Sequence, residues 1–323
     1  MNSGITLDNL LLSLFITFIT GIILFPCFIQ WQKNHQFGQK IKKEGPDLHL
    51  HKENTPSMGG IIIFFAFLLI FLIGRRFDQK TILSILLLAG YTLLGFIDDW
   101  YKIFLEKPWG MKARYKVIFQ ILIAGLILWL SLDWIPLQIG IPFTHLIISI
   151  PRSLFLGYGI FIIIAASNAF NITDGLDGLA AGSGILSYFF WGFFLFFLGE
   201  RSISYLAFGG VGGLIALLWF NTWPARIFMG DSGSLGLGAL MGFMALISGQ
   251  SLLLIFSALV FIVDTLSVVL QVFSFKILNR RLFLMSPIHH HFELKKMKET
   301  QITVRFWIIQ AIGITIAWLG RVR

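Results

Sequence analysis

The chain has 323 residues, of which 13% are charged and 56% hydrophobic, and its mean hydropathy is +0.82. Soluble domains carry about 25% charged residues, so a water-soluble core is excluded and an integral membrane protein is expected. The net charge of +9 reads, from where the charges fall, as positive-inside bias and attraction to anionic headgroups; no nucleic-acid partner is expected.

The first apolar stretch, LLLSLFITFITGIILFPCFI from Leu10, follows Asp8 and no basic residue, and it lacks a small-x-small cleavage site. It reads as a retained helix rather than a signal peptide. Cys27, the single cysteine, lies inside it, so no disulfide can form within the chain. Apolar runs able to cross a hydrocarbon core of roughly 30 Å follow near 7–30, 59–74, 81–97, 117–133, 152–170, 182–199, 204–220, 235–249, 251–275 and 302–320. An all-α polytopic protein of about ten transmembrane helices is expected, with both termini on one side. Loops 31–58, 98–116, 171–181, 221–234 and 276–301, helix ends included, hold 18 of the 25 lysines and arginines. The positive-inside rule makes those loops cytoplasmic and both termini outside. On the outer side DWIPLQIGIPFTHLIISIP, residues 133–151, alternates weakly between prolines, and a short hairpin is expected there. No repeat or soluble second domain is visible, so residues 1–323 read as one membrane domain.

Every unusual polar cluster falls in the inner loops: HKENTPSMGG, GFIDDWYK, NITDGLDG, FNTWPARIFMGDSGS and SPIHHHFE. An alternating-access transporter would hold its ionisable groups near the bilayer midplane. Only Asp264, in VFIVDTLSVV, sits that deep, and both a functional role and an interhelical hydrogen bond fit it. The pattern favours an active site at the cytoplasmic interface.

Lys102 lies four residues after Asp98 and three after Asp99, within ion-pair reach on a helix. A helix-end salt bridge would explain one such acid, but adjacent carboxylates repel unless a cation, proton or substrate group compensates. Asp174 and Asp177 share a face if helical, and Thr173 or Asp174 could cap the segment GLDGLAAGSGIL. Capping does not account for Asn171, Asp174 and Asp177 together, with glycines that permit close backbone approach. Asp231, in FMGDSGSLGLG, suits a helix start equally well. Loop aspartates gathered on one side with Asn171 and Asn221 have the character of hard oxygen ligands, which Mg2+ prefers, commonly with substrate phosphates. Lys52, Lys102, Lys116 and Arg114 could complement those phosphates. No GxxxxGK[ST] loop is present, which argues against a nucleoside triphosphatase. His289, His290 and His291 are consecutive, a poor arrangement for tetrahedral zinc, and suit donation to an anionic diphosphate better.

In order and spacing, TPSMGG, GFIDDWYK, NAFNITDGLDGLAAG, FNTWPARIFMGDSGSLGLG and SPIHHHFE resemble the polyprenyl-phosphate N-acetylhexosamine-1-phosphate transferases across essentially the whole chain. The triple histidine followed by Phe-Glu is similar to the phospho-N-acetylmuramoyl-pentapeptide branch rather than to siblings that use UDP-N-acetylglucosamine. Where the family usually reads KxGTPTMGG, this chain reads KENTPSMGG, with Asn54 and Ser57 as the departures. The resemblance implies transfer of phospho-N-acetylmuramoyl-pentapeptide from UDP-MurNAc-pentapeptide to undecaprenyl phosphate, giving lipid I and UMP. It further implies Mg2+, a bacterial inner-membrane location, a cytoplasmic active site and a homodimer. By the same resemblance Asp231 is a direct metal ligand, and Asp98 and Asp99 are the essential acidic pair. Asn171, Asp174, Asp177, Asn221 and Phe228 fall near the nucleotide, with Phe228 placed to stack on uracil. Lys52, Lys102, Lys116 and the histidines, His289 first, fall near the diphosphate and sugar, with Thr55 and Ser57 counted among the substrate contacts. The readings kept beside this one are the sibling N-acetylglucosamine enzyme and a cation-coupled transporter.

Overall fold

Nine of the ten expected apolar spans each fold as one helix, because a chain in hydrocarbon must satisfy its backbone hydrogen bonds within the segment. The computed structural model describes residues 5–35, 37, 54–74, 78–105 and 110–322. In chain order the helices are α1 (Leu7–Asn34), α2 (Gly60–Gly74), α3 (Gln79–Ile103), α4 (Ala113–Ser131), α5 (Arg152–Thr173), α6 (Leu179–Phe197), α7 (Arg201–Asn221), α8 (Asp231–Ile247), α9 (Leu254–Ser257), α10 (Leu259–Leu278), α11 (Ile288–Leu294) and α12 (Glu299–Gly320). Eight of them are long and apolar enough to cross a membrane, and α2 and α8 are shorter apolar helices. The short α8 is the axis of the bundle. All of its residues are buried, and at 1.5 Å per residue it is about 26 Å long.

The span expected over 251–275 is not one helix. A 3-10 turn at Ser251–Leu253 and the short α9 precede a break at Ala258 (φ −126°, ψ 35°), after which α10 begins. Gln310 of α12 makes the break tolerable in an apolar setting. Its Oε1 accepts from the Val260 amide at 3.0 Å, and its Nε2 donates to the Ser257 carbonyl at 2.7 Å and to Ser187 Oγ at 3.2 Å.

Helices α3 and α5 flank α8, while α1 and α6 pack on α7. Small residues along SGSLGLGA and GGVGG let these backbones approach closely, as helices in lipid do when van der Waals packing drives their association. One of the tightest such contacts involves Gly95 of α3, whose ideal Cβ would stand 2.0 Å from the Asp231 carbonyl oxygen. Outward faces carry Phe15 and Ile23 of α1, Leu122 and Leu126 of α4, Leu266 and Phe273 of α10, and Ile308 and Ile312 of α12, all exposed. That is the apolar perimeter a bilayer requires.

The hairpin expected in 133–151 is present. Strands β1 (Gln138–Gly140) and β2 (Ile147–Ser149) pair antiparallel with Gln138 opposite Ser149, and the Gly140 amide donates to the Gly249 carbonyl at 2.9 Å. Helix α4 runs from Lys116 near its first turn to the hairpin side at Ser131, so hairpin and polar motifs occupy opposite ends of the bundle.

Gly95→Ala should force α3 off α8 and cost at least the 1–3 kcal/mol or so of an overpacked core. Thermal melting in detergent checks this; an unchanged Tm would mean that the two backbones are not in contact.

Candidate active site

Helix α3 ends by delivering Asp98 and Asp99 into the space beside the first turn of α8. Lys102, one turn further along α3, places its Nζ 2.6 Å from Asp98 Oδ2 and 2.9 Å from Asp231 Oδ1. Lys116 of α4 pairs with Asp231 Oδ2 and lies 3.8 Å from Asp98 Oδ2. Asn171, near the end of α5, donates to Asp231 Oδ1 at 3.0 Å and to Ser234 Oγ at 2.8 Å. The three acids are buried, and each offers an oxygen within 4.8 Å of those of the other two. Carboxylates this close need compensating charge, and two ammonium groups supply most of it.

Asp99 has a distinct task. Its Oδ1 accepts from the Asp231 amide at 3.1 Å and its Oδ2 from the Ser232 amide at 3.0 Å. Those are first-turn amides of α8, which have no partner inside the helix. The residue in the N-cap position, Gly230, has no side chain to offer; its φ is +73°, and an added Cβ would stand 2.6 Å from Asp99 Oδ2. The cap is therefore provided by α3, and an anion at this end also complements the helix dipole. Asp231 does open a helix, as its sequence suggested, but as the capped residue.

The segment 174–178 is the second centre. The cap expected from Thr173 or Asp174 is not made: α6 starts at Leu179 behind Gly178, Thr173 Oγ1 bonds back to the Ala169 carbonyl, and Asp174 closes α5. The glycines at 175 and 178 stop the helix and restart it later, so the acids lie in a loop between α5 and α6. Asp177 Oδ2 accepts from the Ala225 amide at 2.8 Å, and its own amide donates to Glu299 Oε1 at 2.6 Å. Asn221, 1% exposed, accepts from the Gly178 amide at 3.0 Å and donates to the Ile227 carbonyl at 2.8 Å. Thr303 and Trp307 of α12 donate to the carbonyls of Asp177 and Gly178. Asp174 is half-buried, and its carboxyl is pushed up to about 7, first by desolvation and then by the charges of Asp231 and Asp99; the Gly230 amide works against the shift.

The first loop joins the same end. The Phe228 amide donates to the Pro56 carbonyl at 2.8 Å and the Gly59 amide to the Phe228 carbonyl at 2.9 Å. Gln32 of α1 bonds both the amide and the carbonyl of Ser57. Phe228 and Thr55 are half-buried, and Ser57 is buried. Asn54 has φ +65°, a left-handed conformation that asparagine tolerates better than most residues other than glycine, which accounts for the departure from the family's glycine. Lys52 lies outside the described residues. Arg114 is exposed, stacks on Tyr115 and takes no part in the cage. His289 Nδ1 lies 2.9 Å from Asp264 Oδ2 with both side chains fully buried, His290 pairs with Glu293 at 2.6 Å, and His291 Nδ1 accepts from the Leu284 amide at 3.1 Å. Sequence reasoning missed Gln32 and Glu299. Glu299 had only its place in the first turn of α12 as a signal, and that signal does not say which loop it reaches.

A buried carboxylate and lysine cage at one end of an all-helical apolar bundle is the frame of a membrane-embedded transferase for phosphate-bearing substrates, and the model for glycosyl transferase family 4 matches residues 80–249. Signature 1 of the phospho-N-acetylmuramoyl-pentapeptide-transferases matches residues 52–64. Enzymes of that name are similar over nearly the whole chain. The one from Nautilia profundicola is 40% identical across 96% of this chain and 93% of its own length. That from Clostridium perfringens is 37% identical across 96% and 98%, and that from Caldanaerobacter subterraneus 34% across 97% and 98%. The chain belongs to the phospho-N-acetylmuramoyl-pentapeptide-transferase family.

The raised carboxyl of Asp174 has a consequence for stability. Between its ordinary value of 3.8 and about 7, the folded state holds a proton that the unfolded chain has lost, so stability falls as pH rises through that window. In chelator-containing detergent, Asp174→Asn should remove this penalty and lose less Tm than the unsubstituted protein between pH 5 and pH 8. Parallel Tm profiles for the two proteins would contradict the assignment.

Proposed function

We propose that the cage is where phospho-N-acetylmuramoyl-pentapeptide passes from its UDP carrier to undecaprenyl phosphate, releasing UMP and forming lipid I on the cytoplasmic face of the bacterial inner membrane. The observation that carries this reading is the convergence of Asp98, Asp99, Asp231, Lys102 and Lys116 at the end of the helical bundle opposite the hairpin. The reaction brings a lipid monophosphate up to a diphosphate. A bond forms between the lipid phosphate oxygen and the sugar-bearing phosphorus, and the bond from that phosphorus to UMP breaks. Like charges must meet, and charge grows on the departing UMP.

The residues present suit a small divalent cation. The donors are hard carboxylate oxygens that converge, and Asp231, at 8% the most exposed of the three, is the one best placed to face a substrate. Asp99 is the least available because both its oxygens are engaged by amides. On this reading Asp231 holds the metal with Asp98 beside it, while Asp99 fixes the helix that carries Asp231. Mg2+ bound there would supply Lewis-acid neutralisation of the phosphate oxygens. Lys102 and Lys116 exchange their present carboxylate partners for phosphate oxygens as substrate arrives. Asp98 orients the lipid phosphate, which is already anionic near neutral pH. The 174–178 loop with Asn171, Asn221 and Phe228 receives the nucleotide, and His289 with its neighbours and the Lys52–Ser57 segment receives the diphosphate and sugar. The whole membrane unit acts as the catalytic domain, and the homodimer belongs to the same proposal.

Purified protein in detergent, given undecaprenyl phosphate and Mg2+, should release UMP from UDP-MurNAc-pentapeptide, with none from UDP-N-acetylglucosamine and none after chelation. Asp231→Asn should lower kcat about 10²–10³-fold, the usual range when a group stabilising developing charge is removed, while the protein still purifies as a folded species. Release from UDP-N-acetylglucosamine alone would move the chain to the sibling branch, and full turnover by the Asp231→Asn variant would remove that residue from the metal role.

A further inference from the structure

The only acid placed deep in the hydrophobic stretches by the sequence is Asp264, and the cage makes no use of it. It lies on the inward stripe of α10 with Val260, Phe261 and Ser267, while Val263, Leu266 and Val269 on the other side are exposed. Its Oδ2 stands 2.9 Å from His289 Nδ1, and both side chains are 0% exposed. Stability does not account for such a pair. Burying a carboxylate is costly unless its remaining lone pairs are satisfied, and here Asp264 Oδ1 and His289 Nε2 are both buried without a hydrogen-bond partner among the described residues. The unpartnered nitrogen is not aimed at random. Gly175 lies against it, with an ideal Cβ that would stand 2.6 Å from Nε2, so only a residue without a side chain lets the loop rest directly on the ring. That loop is the one carrying Asp174 and Asp177.

We propose that Asp264 is a positioning residue for the phosphotransfer: by accepting a hydrogen bond from Nδ1–H it fixes the ring of His289, so that Nε2 faces the 174–178 loop that receives the donor. The hydrogen bond made by one imidazole nitrogen sets the tautomer and aim of the other, and a carboxylate behind a functional histidine does this in metal and hydrolytic sites alike. The inference rests on the reading of His289 and the 174–178 loop as parts of the donor site. The carboxylate belongs to α10 and the imidazole to α11, so the register between these two elements decides the histidine's direction. The His290 ring packs edge-on against that of His289, with centroids 4.3 Å apart.

The test combines kinetics with histidine NMR on the full chain in detergent, with UDP-MurNAc-pentapeptide as donor and lipid and Mg2+ saturating. Asp264→Asn should lower kcat about 10- to 100-fold, as loss of an orienting partner does, leave the donor KM within about threefold, and shift the ring 15N signals of His289. Introduced into His289→Gln, it should produce little further loss, because its effect passes through the imidazole. Unchanged kcat for Asp264→Asn beside a disabled His289→Ala would overturn the proposal and leave the donor-site reading standing. A fully active His289→Ala would instead remove that reading, and the proposal with it. Should Asp264→Asn fail to fold, the unsubstituted protein decides: a proton on Nδ1 of His289 supports the assignment, and a neutral ring protonated on Nε2 alone overturns it.

Discussion

One carboxylate holds the active end of this protein together. Asp99 gives both oxygens to the first amides of α8, and because α8 is the buried axis of the bundle, that contact fixes where Asp231 starts relative to Asp98 one residue back on α3. The close approach of Gly95 to the Asp231 carbonyl makes the same junction rigid from the backbone side. With α3 and α8 locked, the positions of Lys102 and Lys116 follow from helix geometry: Lys102 is one turn beyond Asp98, and Lys116 enters from the first turn of α4. Three acids and two ammonium groups then form a site whose charge is nearly balanced before any substrate arrives. Such a site can be buried without cation or phosphate, and its converging carboxylate oxygens and ammonium groups are what the proposed reaction requires.

A balanced cage would serve no purpose if it faced only protein. The 174–178 loop connects it to the rest of the proposed donor path. One end closes α5 near the cage through Asp174. Gly175, next along, rests on His289, and the far end is tied by Asn221, Glu299, Thr303 and Trp307. Three elements distant in sequence, α7, α11 and α12, therefore agree on the position of five residues. Glycines break the helix here for that reason: a continuous α5–α6 helix would carry the acids away on its own axis, whereas a loop lets each carboxylate meet a different partner.

Much of this was legible in the chain. Length and apolar composition suffice for the helices, since in lipid the backbone has no other economical conformation, and charge placement was enough to gather the motifs on one side. Adjacent Asp98 and Asp99 could be recognised as needing compensation. Their division of labour could not, because both oxygens of Asp99 are engaged by amides more than 130 positions away. Local rules also misplaced the cap at Thr173 or Asp174, since they weigh a residue against its neighbours, whereas Thr173 bonds back to the Ala169 carbonyl and Asp174 takes the Gly230 amide from a distant segment. The break at Ala258 was hidden for a related reason. No proline marks it, and Gln310, which makes it tolerable, sits on another helix.

Asp264 shows how depth and role can separate. An ionisable group in a membrane helix invites a path for protons or ions, and a path requires a series of such groups with water between them. Here the neighbours along the inward stripe are Val260, Phe261 and Ser267, the carboxylate is fully buried, and its contact is with an imidazole from a segment that also carries loop chemistry. The acid is inside the membrane helix because that is where an inward-facing anchor for α11 can stand behind the ring without touching the substrate. On the proposed reading its cost in desolvation is the cost of aiming His289, while the acids of the proposed phosphate site, Asp98, Asp99 and Asp231, gather at the end of the bundle.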